Sequence, residues 1–240
     1  MKLGIENLHK QYANKIVIEG ITFEVSQGET IGILGPNGAG KTTLFYMIAG
    51  LINPDSGNIY LGNEIINKES ISKRTSLGLS YLPQESSIFR GLTVEENIFS
   101  SLEQRKDLNP KDRRELLESL LDEFNLSEFS KTQGIKLSGG ERRRTEIARS
   151  LASDPKFILL DEPFAGIDPL AVSDLKQTIQ KLNQKNIGVL ISDHNVRDTM
   201  NICTKVIVVN KGKIIANGNP DDIAKDPTVK EVYLGHNFQS

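Results

Sequence analysis

Two stretches of this 240-residue chain can hold phosphate. The run GPNGAGKTT fits G-x-x-x-x-G-K-[ST] in full and lies between an apolar strand, TIGIL, and a helical segment. Gly35, Gly38 and Gly40 permit a tight wrap that aims backbone N–H groups at phosphate oxygens. Lys41 can reach the β- and γ-phosphates, and Thr42 offers a hydroxyl to Mg²⁺. Pro36, Asn37, Ala39 and Thr43 complete the nucleotide-binding loop. The second stretch, KLSGGERRRTEIARS, resembles such a cradle without its lysine. Ser138, Gly139 and Gly140 open a helix, and Glu141, three residues after Ser138, makes a capping box. Free N–H groups at a positive helix end attract anions. A chain with one complete phosphate loop needs a reason to carry two.

Carboxylates follow in FILLDEP, where four apolar residues of a buried strand end in Asp161 and Glu162. Open parallel sheets bind ligands at that C-terminal edge. Asp161 is the Mg²⁺ partner, held through water, because Mg²⁺ takes few carboxylates. Glu162 is placed to polarise an attacking water as general base, an effect of about 10²–10⁴-fold. Gln84 ends LGLSYLPQ and can give a neutral amide to metal or water; His194 ends GVLISDH and can hydrogen-bond a γ-phosphate. Tyr12 follows the first strand and can stack on adenine. By residue type alone these three read rather as a loop amide, a structural histidine and a surface tyrosine.

The elements that must position these groups are legible as periodicities. KLGIENL, GITFEV, TIGILG, GNIYLGNEII and LGLSYLPQ read as strands, interrupted by a helix that starts at the phosphate loop. From Leu92 to about Leu151 the pattern is helical. LTVEENIFSSLEQ carries a Thr93/Glu96 capping box, and Leu116, Leu117, Leu120, Leu121 and Phe124 fall at i, i+3, i+4 spacing. KFILLDEP and NIGVLISDH then flank the helical AVSDLKQTIQKLNQK, an order that predicts a buried parallel sheet. KVIVVNKGKIIANG reads as a hairpin around Lys211–Gly212. The reading is one α/β domain with core segments 1–83 and 152–218, a helical lobe over 84–151 and an extension over 219–240.

Composition narrows the class. A net charge of −2 gives no argument for nucleic acid as a partner. The single cysteine, Cys203, excludes an internal disulfide framework and a Cys-based zinc site, and suits a reducing cytoplasm. The start MKLGIENLHK has no apolar core of signal-peptide length, and no apolar run approaches a membrane span of ~18 residues. If the protein works at a membrane, something else holds it there.

These residues, in this order, resemble the ATP-binding subunit of an ABC transporter over roughly residues 3–220. The resemblance rests on Gly35–Thr43, Gln84, LSGGE (137–141), ILLDE (158–162), GIDP (166–169), His194 and Tyr12. It implies a P-loop NTPase core with a mostly parallel sheet, an antiparallel N-terminal β subdomain and a helical subdomain. It also implies ATP and Mg²⁺ as ligands and promotes Gln84, His194 and Tyr12 to site residues. In this family two subunits sandwich two ATP molecules, and the signature of one closes on the γ-phosphate bound by the other. The second cradle would then serve a second copy of the chain.

LSGGERRRTEIAR, DEPFAGIDP, ISDHNVR and VYLGHNF look most like the lipopolysaccharide-export ATPases of Gram-negative bacteria, at the cytoplasmic face of the inner membrane. Branched-chain amino-acid importer ATPases share a similar tail and the EIAR run. Glu141 replaces the family's common Gln. AGID replaces the usual SALD, so Ala165 has no hydroxyl for any bond across the dimer. Membrane subunits would dock near Gln84–Leu92; Phe89 and Leu92 are either core or docking residues. Arg142, Arg143 and Arg144 spread over about 200° of helix, so they form no single face and read as a solvated or salt-bridged surface, with Glu146 pairing Arg142 or Arg143. Val229, Val232 and Tyr233 predict a tail face that docks on the core or on a second copy.

Overall fold

The computed structural model describes residues 1–235. The chain opens with β1 (Lys2–Tyr12), β2 (Lys15–Ser26) and β3 (Thr30–Leu34), then α1 (Lys41–Ala49), β4 (Ser56–Leu61), β5 (Glu64–Ile65), α2 (Ile71–Ser76) and β6 (Leu79–Leu82). Three helices follow: α3 (Val94–Leu102), α4 (Pro110–Glu123) and α5 (Gly139–Ala152). The chain then returns through β7 (Phe157–Asp161), α6 (Pro169–Gln184), β8 (Gly188–Ser192), α7 (Val196–Met200), β9 (Lys205–Asn210) and β10 (Lys213–Gly218). It ends in α8 (Pro220–Lys225), α9 (Pro227–Val229) and a π-turn over Lys230–Leu234.

One sheet is antiparallel, in the order β2-β1-β4-β5. The other runs β10-β9-β3-β8-β7-β6 and is parallel except for the β9–β10 hairpin. Strands β3, β7 and β8 are buried along their whole length, which is why they read as unbroken apolar runs. Alternation still sorts their side chains. Ile31, Ile33, Leu159, Leu190 and Ile207 join the core shared with α1 and the antiparallel sheet; Leu160, Val189, Ile191 and Val206 join the core under α3–α6. Both faces of the parallel sheet are therefore covered, and its C-terminal edge is left for ligands.

Helix α1 lies inside the first of these cores and buries Leu44, Phe45, Met47 and Ile48. Its far end is closed by a residue the sequence did not flag. Arg74, in the unforeseen short helix α2, is fully buried and donates from one guanidinium nitrogen to the carbonyls of Met47 (2.7 Å) and Ile48 (2.6 Å). It also donates to Glu69 and Asn67 carbonyls. Burial pulls its pKa down to about 10. A cation at a helix C-terminus satisfies orphan carbonyls and opposes the dipole.

Both predicted capping boxes are present, Thr93 with Glu96 on α3 and Ser138 with Glu141 on α5. On α4, Leu120, Leu121 and the adjoining Phe124 are buried, with Leu116 and Leu117 packed at the margin. In the tail Val229 is buried and Tyr233 packs on the core, but Val232 is exposed. The π-turn is wider than an α-turn, so three-residue spacing does not return to one face there. His236, Asn237 and Phe238 of the VYLGHNF run lie outside the described residues.

Candidate nucleotide site

Strand β3 delivers the phosphate loop and α1 receives it. Gly35 has φ +148°, and a Cβ there would sit 2.0 Å from the Val209 carbonyl oxygen. Gly40, the N-cap of α1 with φ +109°, would meet the Val17 carbonyl at 2.7 Å. Neither site tolerates a side chain, so the loop is pressed between β2 and the β9–β10 hairpin. The Lys41 ammonium donates to the carbonyls of Gly35 (2.6 Å) and Pro36 (3.1 Å) and is 7% exposed. Burial lowers its pKa, while Glu162 and Asp161 lie close enough to oppose that shift. The lysine and both carboxylates thus share one electrostatic neighbourhood.

Asp161 is the last residue of β7 and is buried. Burial pushes its carboxyl pKa up to about 6, against a hydrogen bond from the Tyr81 hydroxyl at 3.2 Å. Glu162, one step further, has φ +45°, and its N–H donates to the Ser192 carbonyl at 2.6 Å. That left-handed turn aims its side chain at two neighbours. Gln84 Nε2 donates to Glu162 Oε2 at 2.7 Å, and His194 Nε2 lies 2.6 Å from Glu162 Oε1. Gln84 follows β6, Glu162 follows β7 and His194 follows β8, three adjacent strands. The oxygen donors on offer (Thr42 hydroxyl, Asp161 carboxylate and Gln84 amide oxygen) are the hard set Mg²⁺ takes. The raised Asp161 pKa marks a carboxylate that a cation would relieve.

Tyr12, at the end of β1, is 47% exposed, with Lys10 Nζ 5.5 Å from its ring centroid. The second cradle is built as a cap. Ser138 Oγ accepts from the Glu141 N–H at 3.3 Å, and Glu141 Oε2 accepts from the Ser138 N–H at 2.8 Å. Ser138 and Gly139 are exposed, whereas a Cβ on Gly140 would lie 2.8 Å from Ala171 Cβ. A cavity of about 180 Å³ under this helix is lined by Gly139, Arg143, Gln84, Glu162 and Gly166 among others. Among the described residues, its lining includes none from the Gly35–Thr43 loop.

The burial of Arg143, the place of Asp193 and the reach of Tyr233 to the phosphate loop were not legible in the sequence. Arg143 is not a solvated surface arginine: it is 6% exposed, pairs with buried Glu146 at 3.1 Å and reaches the Pro83 carbonyl at 3.0 Å. Glu146 in turn accepts from the Ser86 hydroxyl and the Ser87 N–H. The pairing at i+3 was legible; the burial was not, because the β6 loop that covers it is sixty residues away. Arg142 instead bonds the Leu137 carbonyl, and Arg144 lies 3.6 Å from Asp174. Asp193 is buried beside His194. Tyr233 has its phenol pKa raised by burial and by Asp193, with a hydrogen bond from the Gly35 backbone opposing, so the extension touches the phosphate loop. Phe89 and Leu92 are exposed rather than core, with the Arg149 guanidinium 4.9 Å over the Phe89 ring.

The ABC transporter family model matches residues 18–165, well over half of the chain. The chain belongs to the ABC transporter ATP-binding family. A second model, described as branched-chain amino acid ATP-binding cassette transporter, matches the tail of this ABC chain at 213–239. The lipopolysaccharide export system ATP-binding protein LptB of Haemophilus influenzae is 52% identical over 237 residues, 99% of this chain and 98% of its own. The Escherichia coli K12 protein of the same name is 47% identical over the same shares. Among solved structures, the ADP conformation of an ATP-binding cassette of an ABC transporter superposes with a TM-score of 0.86 at 29% identity, covering 98% of this chain and all of its own. A dimeric ATP-binding cassette bound to ADP and Pi aligns with a TM-score of 0.80 at 24% identity, which speaks for the fold. Among the described residues no helix is long and apolar enough to cross a membrane.

Proposed function

We propose that this chain is the ATP-hydrolysing motor of a lipopolysaccharide exporter, acting as a homodimer that sandwiches ATP at the cytoplasmic face of the inner membrane. The observation that carries the hydrolytic part is Glu162, whose two carboxylate oxygens meet Gln84 at 2.7 Å and His194 at 2.6 Å beside Asp161. The phosphate loop binds the nucleotide, with Lys41 on its β- and γ-phosphates and Tyr12 against adenine. Thr42, Asp161 and Gln84 would hold Mg²⁺, which would supply neutralisation of phosphate charge. Glu162 takes the proton of the attacking water, and His194 bonds the γ-phosphate. Ser138, Gly139, Gly140 and Glu141 form an anion-binding helix end for the nucleotide held by a second copy, a reading supported by a neighbouring cavity whose lining, among the described residues, includes none of Gly35–Thr43. Membrane subunits dock at Gln84–Leu92, where Phe89 and Leu92 present apolar surface.

The test is turnover of the full chain. Glu162→Gln is expected to bind a fluorescent ATP analogue normally and to lose ~10²–10⁴-fold in hydrolysis, the worth of a general base. Wild-type turnover in that variant refutes the assignment. The cargo is tested by purification from the native membrane in mild detergent, where lipopolysaccharide and its extraction subunits are expected. The match of the tail to branched-chain amino-acid cassettes supports a second reading, and recovery of an amino-acid permease would replace the first.

A further inference from the structure

The segment Ser192-Asp193-His194-Asn195, between β8 and α7, runs beside the turn that follows β7. Two hydrogen bonds join them, and a third braces the segment itself. The Ser192 carbonyl accepts from the Glu162 N–H at 2.6 Å. Asp193 Oδ2 accepts from the Phe164 N–H at 2.9 Å, and Asp193 Oδ1 accepts from the Asn195 N–H at 2.8 Å. Asn195 is itself fixed as the N-cap of α7, its side chain accepting from the Asp198 N–H at 3.2 Å.

His194 contrasts with its neighbours. Its side chain is 56% exposed, so packing does little to place it, yet its Nε2 lies 2.6 Å from Glu162. Asp193 is 3% exposed and spends its carboxylate on backbone donors from both segments. Burial raises its pKa against those bonds. Burying a charge is costly unless it is well satisfied, and a simple loop connection can be made without one.

We propose that Asp193 is a positioning residue for hydrolysis, clamping the loop that carries His194 to the turn that carries Glu162 so that the two side chains keep their register. It acts through His194 and touches no nucleotide. The inference rests on the roles given above to Glu162 and His194. A plain structural staple would lower stability without favouring kcat over KM, and its effect would not depend on the His194 ring.

Asp193→Asn in the full chain keeps the side chain's shape but leaves one oxygen for two N–H donors. The expected result is a roughly tenfold fall in kcat, the scale of one charge-assisted hydrogen bond, with KM for ATP within about twofold. In a His194→Ala background the same substitution is expected to change kcat by less than about twofold, since the group it positions is gone. Equal losses in both backgrounds, or an unchanged kcat, overturn the proposal. If Asp193→Asn does not fold, amide exchange on the wild-type chain decides. The Phe164 and Asn195 amides are expected to exchange slowly although both lie in loops, and exchange of either at free-peptide rates removes the clamp. Wild-type turnover and its loss in Glu162→Gln test the parent reading separately, so failure at Asp193 alone leaves that reading intact.

Discussion

Arg143→Met strips a buried carboxylate of its counter-charge. Glu146 is 3% exposed and would keep only the Ser86 hydroxyl (2.8 Å) and the Ser87 N–H (2.7 Å); the Pro83 carbonyl would lose its donor. Removing one partner of a buried ion pair costs about 3–5 kcal/mol, and the two remaining donors place this case at the low end, ~3 kcal/mol. For a chain of this length that corresponds to a fall in Tm of roughly 6–12 °C. Glu146→Leu alone strands a buried guanidinium and is expected to cost about as much. The double variant removes both charges and leaves Ser86 and Ser87 near enough to the surface to hydrate. Its loss is therefore expected to fall short of the sum of the singles by at least about 1.5 kcal/mol. Urea unfolding of the four proteins closes the cycle. Additive losses, or an Arg143→Met protein as stable as wild type, would show that the pair is not the buried, coupled unit described here.

Two further expectations concern the site itself. Asp161 has a folded pKa of about 6 against an ordinary 3.8, so its ionisation opposes folding. The sign follows from linkage: the protonated form is favoured in the fold, so the associated stability is whole below about pH 4 and is lost as pH rises through about 6. Asp161→Asn is then expected to gain about 2–3 kcal/mol in urea unfolding at pH 7 in chelator, and almost nothing at pH 4; equal effects at the two pH values refute it. Ser138→Ala removes an N-cap acceptor and is expected to cost only about 1 kcal/mol of stability. Nucleotide binding by the isolated chain should be unchanged while dimer-dependent turnover falls, and parallel loss of both would count against an in-trans role.

What the sequence discloses is what short spacing can encode. Thr93 with Glu96, Ser138 with Glu141, and Gly35 through Thr43 each lie within one turn or one loop, so the motif and the structure contain the same information. Arg74 was invisible because nothing in ISKRTS is periodic; α2 is held by a guanidinium reaching carbonyls on α1, more than twenty residues away. Burial of Arg143 and the contacts of Asp193 depend equally on partners supplied by other strands' loops. The tail misled for a different reason, since spacing rules assume an α-turn and the chain there winds as a π-turn.

Strand order was the other thing out of reach, and it decides the chemistry. A parallel sheet places Gly35, Gln84, Glu162 and His194 at one edge whatever the order of its strands. Neighbouring strands are about 4.8 Å apart, so two residues separated by one intervening strand start nearly 10 Å apart. Only a residue at the end of β7, between β6 and β8, can offer one carboxylate oxygen to Gln84 and the other to His194. Exchanging β3 and β8 in the order would leave the phosphate loop beside Glu162 and move His194 out of reach. The observed order does the reverse: it sets His194 between Glu162 and the phosphate loop, the position that its proposed contacts with a general base and a γ-phosphate require.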